Sequence, residues 1–181
     1  MGANFFPEYL ETLCASLKSA DSVLLEEAAL LISRTNANGG KILIAGNGGS
    51  AAIAGHAAID FTKAARISSL CFNEAALITC FSNDYGYEHW VEKSLEYYAG
   101  PKDLVILISS SGKSPNMLNA ATKAREMDLP VITFTGFDAK NPLRSEGQVN
   151  LWIDSHSYNV VENVHQVWLL AICDRLIASN P

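Results

Sequence analysis

Two polar loops carry the residues whose chemistry is easiest to interpret. The first, residues 46–50, reads Gly-Asn-Gly-Gly-Ser and lies between a short apolar run and an alanine-rich stretch. Its small residues allow a ligand to approach the backbone closely. The second, residues 109–114, reads Ser-Ser-Ser-Gly-Lys-Ser and also leads from an apolar run into a predicted helix. Hydroxyl groups, free N–H groups and the dipole at the start of a helix together favour a phosphate ligand.

Other phosphate-binding motifs fit this sequence less well. No GxxxxGK[ST] segment is present, which argues against a P-loop. The GxGxxG fingerprint of dinucleotide-binding folds is incomplete, because Ala51 stands where the third glycine belongs. Asp60 follows, but on the same predicted helix rather than after a second strand. Either loop alone is also compatible with an ordinary turn or a helix cap, so the prediction of a ligand site depends on the pair.

Strands and helices are predicted to alternate along the chain. Residues 4–36 are predicted to form two helices, with Asp21 and Ser22 between them as caps for the second. The predicted strands are residues 41–45, 67–72, 104–108, 131–135 and 149–153. The later predicted helices are residues 50–65, 73–81, 87–98, 115–127 and 158–178, with a polar turn at residues 82–86. This alternation predicts an α/β fold whose parallel sheet is covered on both faces.

A single domain is the simplest division of the 181 residues. The sequence contains no low-complexity tract, internal repeat or Pro/Gly-rich linker, and a chain of this length can bury a sizeable core. We therefore predict one domain over residues 1–181, with N-terminal helices at 1–38 and the αβα core at 41–181.

Charge and hydropathy argue against several classes of protein. The formal net charge of −6 offers no basic surface for nucleic acid. No apolar run reaches the roughly 18 residues that a membrane span needs. We also find no N-terminal stretch with the basic region and apolar core of a signal peptide. The cysteines form no CxxC pair and have mostly apolar neighbours; they are Cys14, Cys71, Cys80 and Cys173. We therefore predict reduced thiols and a cytoplasmic protein.

Four segments of the chain resemble the SIS (sugar isomerase) domain family. They are GNGGSA, SNDYG, ISSSGKSPN and VITFTGFD, and the resemblance covers nearly the whole chain. Among SIS proteins, the short chain with two leading helices is similar to the phosphoheptose isomerases. The resemblance implies a three-layer αβα sandwich with a five-stranded parallel sheet, preceded by N-terminal helices. It also implies a homotetramer with shared active sites, and conversion of sedoheptulose 7-phosphate to a heptose 7-phosphate through an enediol.

The resemblance also implies roles for particular residues. The residues matched to the phosphate site are Ser50, Ser109, Ser110, Ser111 and Ser114. The residues matched to the sugar pocket are Asn47, Gly48 and Asp84. The family places a His and a Glu four residues apart on the helix after the first loop, where this chain has His56 and Asp60. On the last helix the family has a Gln and, eight residues later, a His, where this chain has Glu162 and Leu170.

In the family, the residues at these four positions bind zinc. This chain keeps only the histidine, His56, and has different residues at the other three positions. Leu170 can neither bind a metal nor move a proton, which leaves His56, Asp60 and Glu162 as a possible zinc set. Asp60 or Glu162 would act as the catalytic base, with one pKa raised by burial beside the other carboxylate. His165 and Gln166 lie near the same helical face as Glu162 and could replace the lost histidine. For His165, packing is the favoured interpretation, because the family also carries a His at this position outside the metal set.

Three functions remain open from the sequence. An isomerase of sedoheptulose 7-phosphate or a similar ketose phosphate is favoured by the pair of His56 and Asp60. A non-catalytic SIS module that binds sugar phosphate, or a replication-initiator-type protein, is favoured by Leu170. A sensor that binds sugar phosphate without turnover fits the serine loop as well as an enzyme does.

Overall fold

Two helices precede the sheet, as predicted. The structure is a computed structural model that describes residues 4–179. Helix α1 spans Phe5–Lys18 and α2 spans Ser22–Ala37. The side chain of Asp21 caps α2, because its Oδ1 accepts a hydrogen bond from the backbone N–H of Val23 at 2.9 Å. The predicted cap is therefore confirmed.

Five parallel strands form the sheet, which confirms the predicted fold class. They are β1 (Ile42–Gly46), β2 (Ser69–Cys71), β3 (Leu104–Ser109), β4 (Val131–Thr135) and β5 (Val149–Trp152). Their spatial order is β2-β1-β3-β4-β5. The chain thus moves from β1 outward to β2 and then back across to β3, so β1 and β3 are neighbours where the direction of winding reverses. In open α/β sheets this is the place where ligands bind.

Helices cover both faces of the sheet. They are α3 (Gly49–Lys63), α4 (Ala75–Tyr85), α5 (Trp90–Tyr98), α6 (Pro115–Glu126) and α7 (Tyr158–Ser179), with a short 3-10 helix at Pro142–Ser145. Consecutive residues of a strand point to opposite faces. Ile44 accordingly packs with α2, α3 and α7, whereas Leu43 packs with α5 and α6. Among the helices of residues 4–179, none has the length and apolar character needed to span a membrane.

The predicted polar turn at residues 82–86 is wrong. Helix α4 continues through Ser82–Tyr85 and ends at Gly86, whose φ of +93° suits a residue without a side chain. Its apolar residues Ile78 and Phe81 pack against the core beneath α5 and α6. Packing at helical spacing therefore outweighs the polar character of the last turn, in which Asn83 and Asp84 are exposed.

Candidate active site

The two polar loops meet at the carboxyl edge of the sheet. Strands β1 and β3 pair so that Gly46 lies opposite Ile108, and both loops begin there. Between them is a cavity of about 240 Å³. It is lined by Asn47, Gly48, Ser50, Ile108, Ser109, Ser110, Ser111, Ser114, Tyr158 and Glu162. The structure thus brings together every predicted phosphate residue, two of the predicted sugar residues and one predicted carboxylate.

Both helices that start at this cavity lack a side-chain cap. Gly48 and Ser114 are the N-cap residues of α3 and α6, and neither makes a side-chain hydrogen bond to its helix. By contrast, Asp21 and Glu74 cap α2 and α4 with their carboxylates. The first N–H groups of a helix have no partner within it, so α3 and α6 present donors and positive potential to the cavity. This potential suits a phosphate, since no Lys or Arg lines the cavity.

The serine loop adds hydroxyl groups at the same place. Ser109 and Ser110 are each only 5% exposed. Ser109 Oγ donates to Ser114 Oγ at 3.3 Å, whereas the buried Ser110 Oγ has no partner within residues 4–179. A buried hydroxyl without a partner is costly. The residue lines the cavity, and among the described residues its hydroxyl is an unpaired polar group next to it.

Asparagine side chains hold the first loop in position. Gly46 N donates to Asn73 Oδ1 at 3.2 Å, and Asn73 Nδ2 donates to Gly46 O at 2.7 Å. Asn47 and Asn116 exchange amide hydrogen bonds at 3.0 and 2.9 Å. Tyr87 also donates its hydroxyl proton to Asn47 Oδ1 at 3.0 Å. These contacts orient the Asn47 amide, and Asn73, Asn116 and Tyr87 are the supporting residues that the sequence did not identify.

Glu162 brings an ionisable group into the cavity from α7. Its carboxylate packs directly on Gly49, where an added Cβ would overlap both carboxylate oxygens. Burial raises the pKa of Glu162 above its ordinary value. Burial is the cause, rather than the second carboxylate that the sequence suggested. A carboxylate with a raised pKa in the same cavity as the serine loop is suited to proton transfer with a bound ligand.

His56 and Asp60 lie outside the cavity. Their spacing places them on one face of α3, as predicted, with His56 Nε2 3.2 Å from Asp60 Oδ2. On the other side of the ring, Gln166 Nε2 lies 2.9 Å from His56 Nδ1. Glu162 does not join this pair, because its carboxylate rests on Gly49. Within residues 4–179, no three His, Cys, Asp or Glu side chains are arranged to hold a metal ion. The expected zinc set of His56, Asp60 and Glu162 is therefore not gathered, and these residues do not fit the ion.

His165 is a packing residue. Its side chain is fully buried, and Nε2 donates to Thr135 O at 3.0 Å. Burial lowers the pKa of His165 to about 4, so the ring is neutral at physiological pH. The ring also meets Phe134 edge-on, with centroids 5.7 Å apart. It therefore does not replace the missing histidine, whereas Gln166, its neighbour on α7, reaches His56.

Asp84 is not placed at the cavity. It lies in the last turn of α4 with an exposed side chain, and its Oδ1 accepts a hydrogen bond from Asn83 Nδ2 at 2.9 Å. The resemblance implied that Asp84 lines the sugar pocket, but it is not among the residues that line the cavity of this chain. After this helix ends, Tyr87 is the residue that reaches the cavity loop.

Tyr158 lines the cavity, although no sequence motif pointed to it. It is the first residue of α7, and Phe137 meets its ring edge-on with centroids 4.8 Å apart. Phe137 has a φ of +56°, a conformation that non-glycine residues rarely adopt. Such positions cluster at functional sites. The strained Phe137 therefore helps to place Tyr158 at the mouth of the cavity.

The fold and this site agree with the SIS domain family. The sequence profile described as SIS domain matches residues 5–136, and the chain belongs to that family. Phosphoheptose isomerases are the relatives that it resembles within the family. The enzyme of Helicobacter pylori strain P12 is 34% identical over 176 residues, which cover 93% of this chain and 90% of that protein. The enzyme of Helicobacter hepaticus is 35% identical over 172 residues, which cover 88% and 87%.

Solved structures show the same relationship. The phosphoheptose isomerase of Neisseria gonorrhoeae superposes with a TM-score of 0.86 at 28% identity, and the match covers 96% of each chain. The phosphoheptose isomerase of Francisella tularensis superposes with a TM-score of 0.89 at 24% identity, covering 99% of this chain and all of that one. The five-stranded parallel sheet with its leading helices is thus shared with these enzymes.

Proposed function

We propose that this protein is a phosphosugar isomerase that converts sedoheptulose 7-phosphate, or a similar ketose phosphate, to a heptose 7-phosphate. One observation carries the proposal: Glu162, with a raised pKa, lines the same cavity as the serine loop and two uncapped helix N-termini. Its relatives of 34% and 35% identity are phosphoheptose isomerases, which supports the same reaction class.

Each part of the cavity has a task in this proposal. The serines of residues 109–114, together with Ser50 and the helix N-termini, bind the phosphate. Asn47 and Gly48 contact the sugar. Glu162 is the base, because it is the predicted carboxylate that lines the cavity, whereas Asp60 lies outside it. Asp84 has no role here, since it is exposed on α4.

The reaction moves one proton between two neighbouring carbons and one between the oxygens bound to them. The Glu162 carboxylate takes a proton from the hydroxyl-bearing carbon next to the substrate carbonyl, and the carbonyl oxygen gains a proton, so that an enediol forms. The Glu162 carboxylic acid then returns its proton to the former carbonyl carbon, while the other enediol oxygen loses its proton and becomes the new carbonyl. N–H and hydroxyl donors of the loops stabilise the negative charge that develops on oxygen. The substrate and product have the same oxidation state overall, so no organic redox cofactor is required.

Zinc has no step in this proposal, although the resemblance implies it. The test is product formation from sedoheptulose 7-phosphate, measured with added zinc and with a chelator. We expect turnover in both conditions. A protein that is thermally stabilised by the sugar phosphate but turns none over would instead be a binding module, the alternative favoured by Leu170.

We also propose that the protein assembles as a homotetramer. Helix α1 has no buried residue, yet it carries Phe5, Phe6 and Leu10 with 62%, 75% and 57% of their surfaces exposed. Clustered exposed aromatic residues are typical of protein interfaces. Light scattering should give the mass of a tetramer, and Phe6→Glu should give a smaller species. The same substitution at the exposed Thr12 serves as the control, and a monomeric wild-type protein would contradict the proposal.

A cytoplasmic location is part of the proposal. All four cysteines are free thiols, and two of them, Cys14 and Cys80, are exposed. Exposed free thiols are typical of proteins that remain in a reducing compartment.

A further inference from the structure

His56 is held from both sides where α3 packs along α7. Gln166 Nε2 lies 2.9 Å from His56 Nδ1, and Asp60 Oδ2 lies 3.2 Å from His56 Nε2. An amide nitrogen can only donate a hydrogen bond, so His56 Nδ1 accepts it and the ring proton is on Nε2. Asp60 Oδ2 lies 3.2 Å from the nitrogen that carries that proton. One ring nitrogen is therefore hydrogen-bonded to α7, and the other lies beside a carboxylate of its own helix.

This arrangement competes with metal binding. An imidazole binds a metal ion through the lone pair of a ring nitrogen. The lone pair of Nδ1 already accepts from Gln166, and Nε2 carries the ring proton beside Asp60. One turn beyond Gln166, Leu170 offers no donor atom. A zinc ion at His56 would have to displace either the Gln166 hydrogen bond or the ring proton, and it would still lack Glu162, which rests on Gly49.

We propose that the contact chain Gln166–His56–Asp60, a hydrogen bond followed by an ion-pair contact, stands in place of a metal ion and positions Glu162, so that turnover requires no divalent ion. Glu162 and Gln166 lie one turn apart on the same face of α7. A bond from Gln166 to α3 therefore also fixes the turn that holds the Glu162 carboxylate over Gly49. His56 and Gln166 are positioning residues in this proposal. Its effect on turnover rests on the proposed isomerase function, whereas the statement about metal binding does not.

Metal binding can be tested without any activity measurement. We expect calorimetric titration of the purified full chain with ZnCl2 to show no stoichiometric binding. We also expect the thermal unfolding midpoint to be the same with zinc and with EDTA. Gln166→Glu replaces the amide donor with a third ligand beside His56 and Asp60, so this variant should gain zinc binding. Stoichiometric zinc in the wild-type protein would overturn the proposal.

The positioning role is tested by the split between kcat and KM. Gln166→Ala should lower kcat by about 10- to 100-fold, because a small displacement of the base is costly. Its KM should be unchanged, since Gln166 does not line the cavity, and zinc should not restore kcat. The control is Asn163→Ala, which removes an exposed amide of α7 that bonds Asn159 O of the same helix. It should behave like wild type.

Two results would overturn the positioning role. One is a Gln166→Ala protein with wild-type kcat, and the other is wild-type turnover that EDTA abolishes and zinc restores. If the wild-type protein turns over no sedoheptulose 7-phosphate in any condition, the proposed function fails instead. The calorimetric titration then still decides whether the contact chain replaces a metal ion.

Discussion

Replacing Glu162 with Gln is expected to lower kcat for sedoheptulose 7-phosphate by about 1,000-fold, since a general base contributes on the order of 100- to 10,000-fold. The amide keeps the size of the side chain but cannot accept the substrate proton. KM should change little, because the phosphate contacts come from the two loops. Steady-state kinetics on the purified proteins measures both constants.

The matched control is Asp174→Asn, which makes the same change at an exposed carboxylate of α7 outside the cavity. It should keep the wild-type kcat. The proposal for Glu162 would be contradicted if Glu162→Gln kept full turnover, or if Asp174→Asn lost as much kcat as Glu162→Gln.

The pH dependence of kcat should report the same group. Burial raises the pKa of Glu162, and the base must be ionised to work. As the pH is lowered, kcat should therefore begin to fall at a higher pH than it would for a carboxyl of ordinary pKa. We use kcat rather than kcat/KM for this measurement. The phosphate of the free substrate titrates near pH 6, and this second titration would also change kcat/KM. The residual kcat of Glu162→Gln should no longer show this decrease at low pH.

Glu162→Gln should not destabilise the protein. A raised pKa means that the folded chain binds the Glu162 proton more tightly than the unfolded chain does. The free energy of unfolding therefore falls as pH rises from the ordinary to the raised value of this carboxyl. The neutral amide does not ionise, so the variant does not lose this free energy of unfolding. At a pH above the raised pKa, the variant should therefore unfold at the same temperature as the wild-type protein or at a higher one. A loss of kcat without a loss of stability separates catalysis from folding.

Gly49→Ala is the second substitution with a large expected effect. The new methyl group would overlap the Glu162 carboxylate, which is the far end of a flexible side chain and can move aside. We expect kcat to fall by about 100-fold, because displacing a catalytic group by about 1 Å costs that much. The unfolding midpoint should be nearly unchanged. The same assay and a thermal unfolding scan measure the two quantities.

Gly55→Ala provides the control for Gly49→Ala. Gly55 lies on the same helix, but no atom lies within 4 Å of its added Cβ. Alanine is favoured over glycine in a helix by about 0.5–1 kcal/mol, so this variant should be slightly more stable and fully active. If Gly49→Ala were as active as Gly55→Ala, the contact between Glu162 and Gly49 would have no role in turnover.

Much of the fold could be predicted because its signals are local. Each central strand is a short apolar run, and each polar loop follows one such run directly. Parallel strands place their carboxyl ends at one edge, so the two loops could be expected to lie near each other. The segment of residues 82–85 could not be predicted correctly, because its helix depends on Ile78 and Phe81 packing against a core formed by distant residues.

The sequence by itself determined the αβα architecture, the two polar loops at one edge of the sheet and the presence of an ionisable residue at position 162. Only the tertiary structure decided how the predicted zinc residues are divided, with Glu162 against Gly49 in the cavity and His56 bound to Gln166 outside it. The physical reason is that His56 and Gln166 are 110 residues apart. Their contact depends on how α3 and α7 are rotated against each other, and that rotation is set by packing between helices rather than by the pattern of either helix alone.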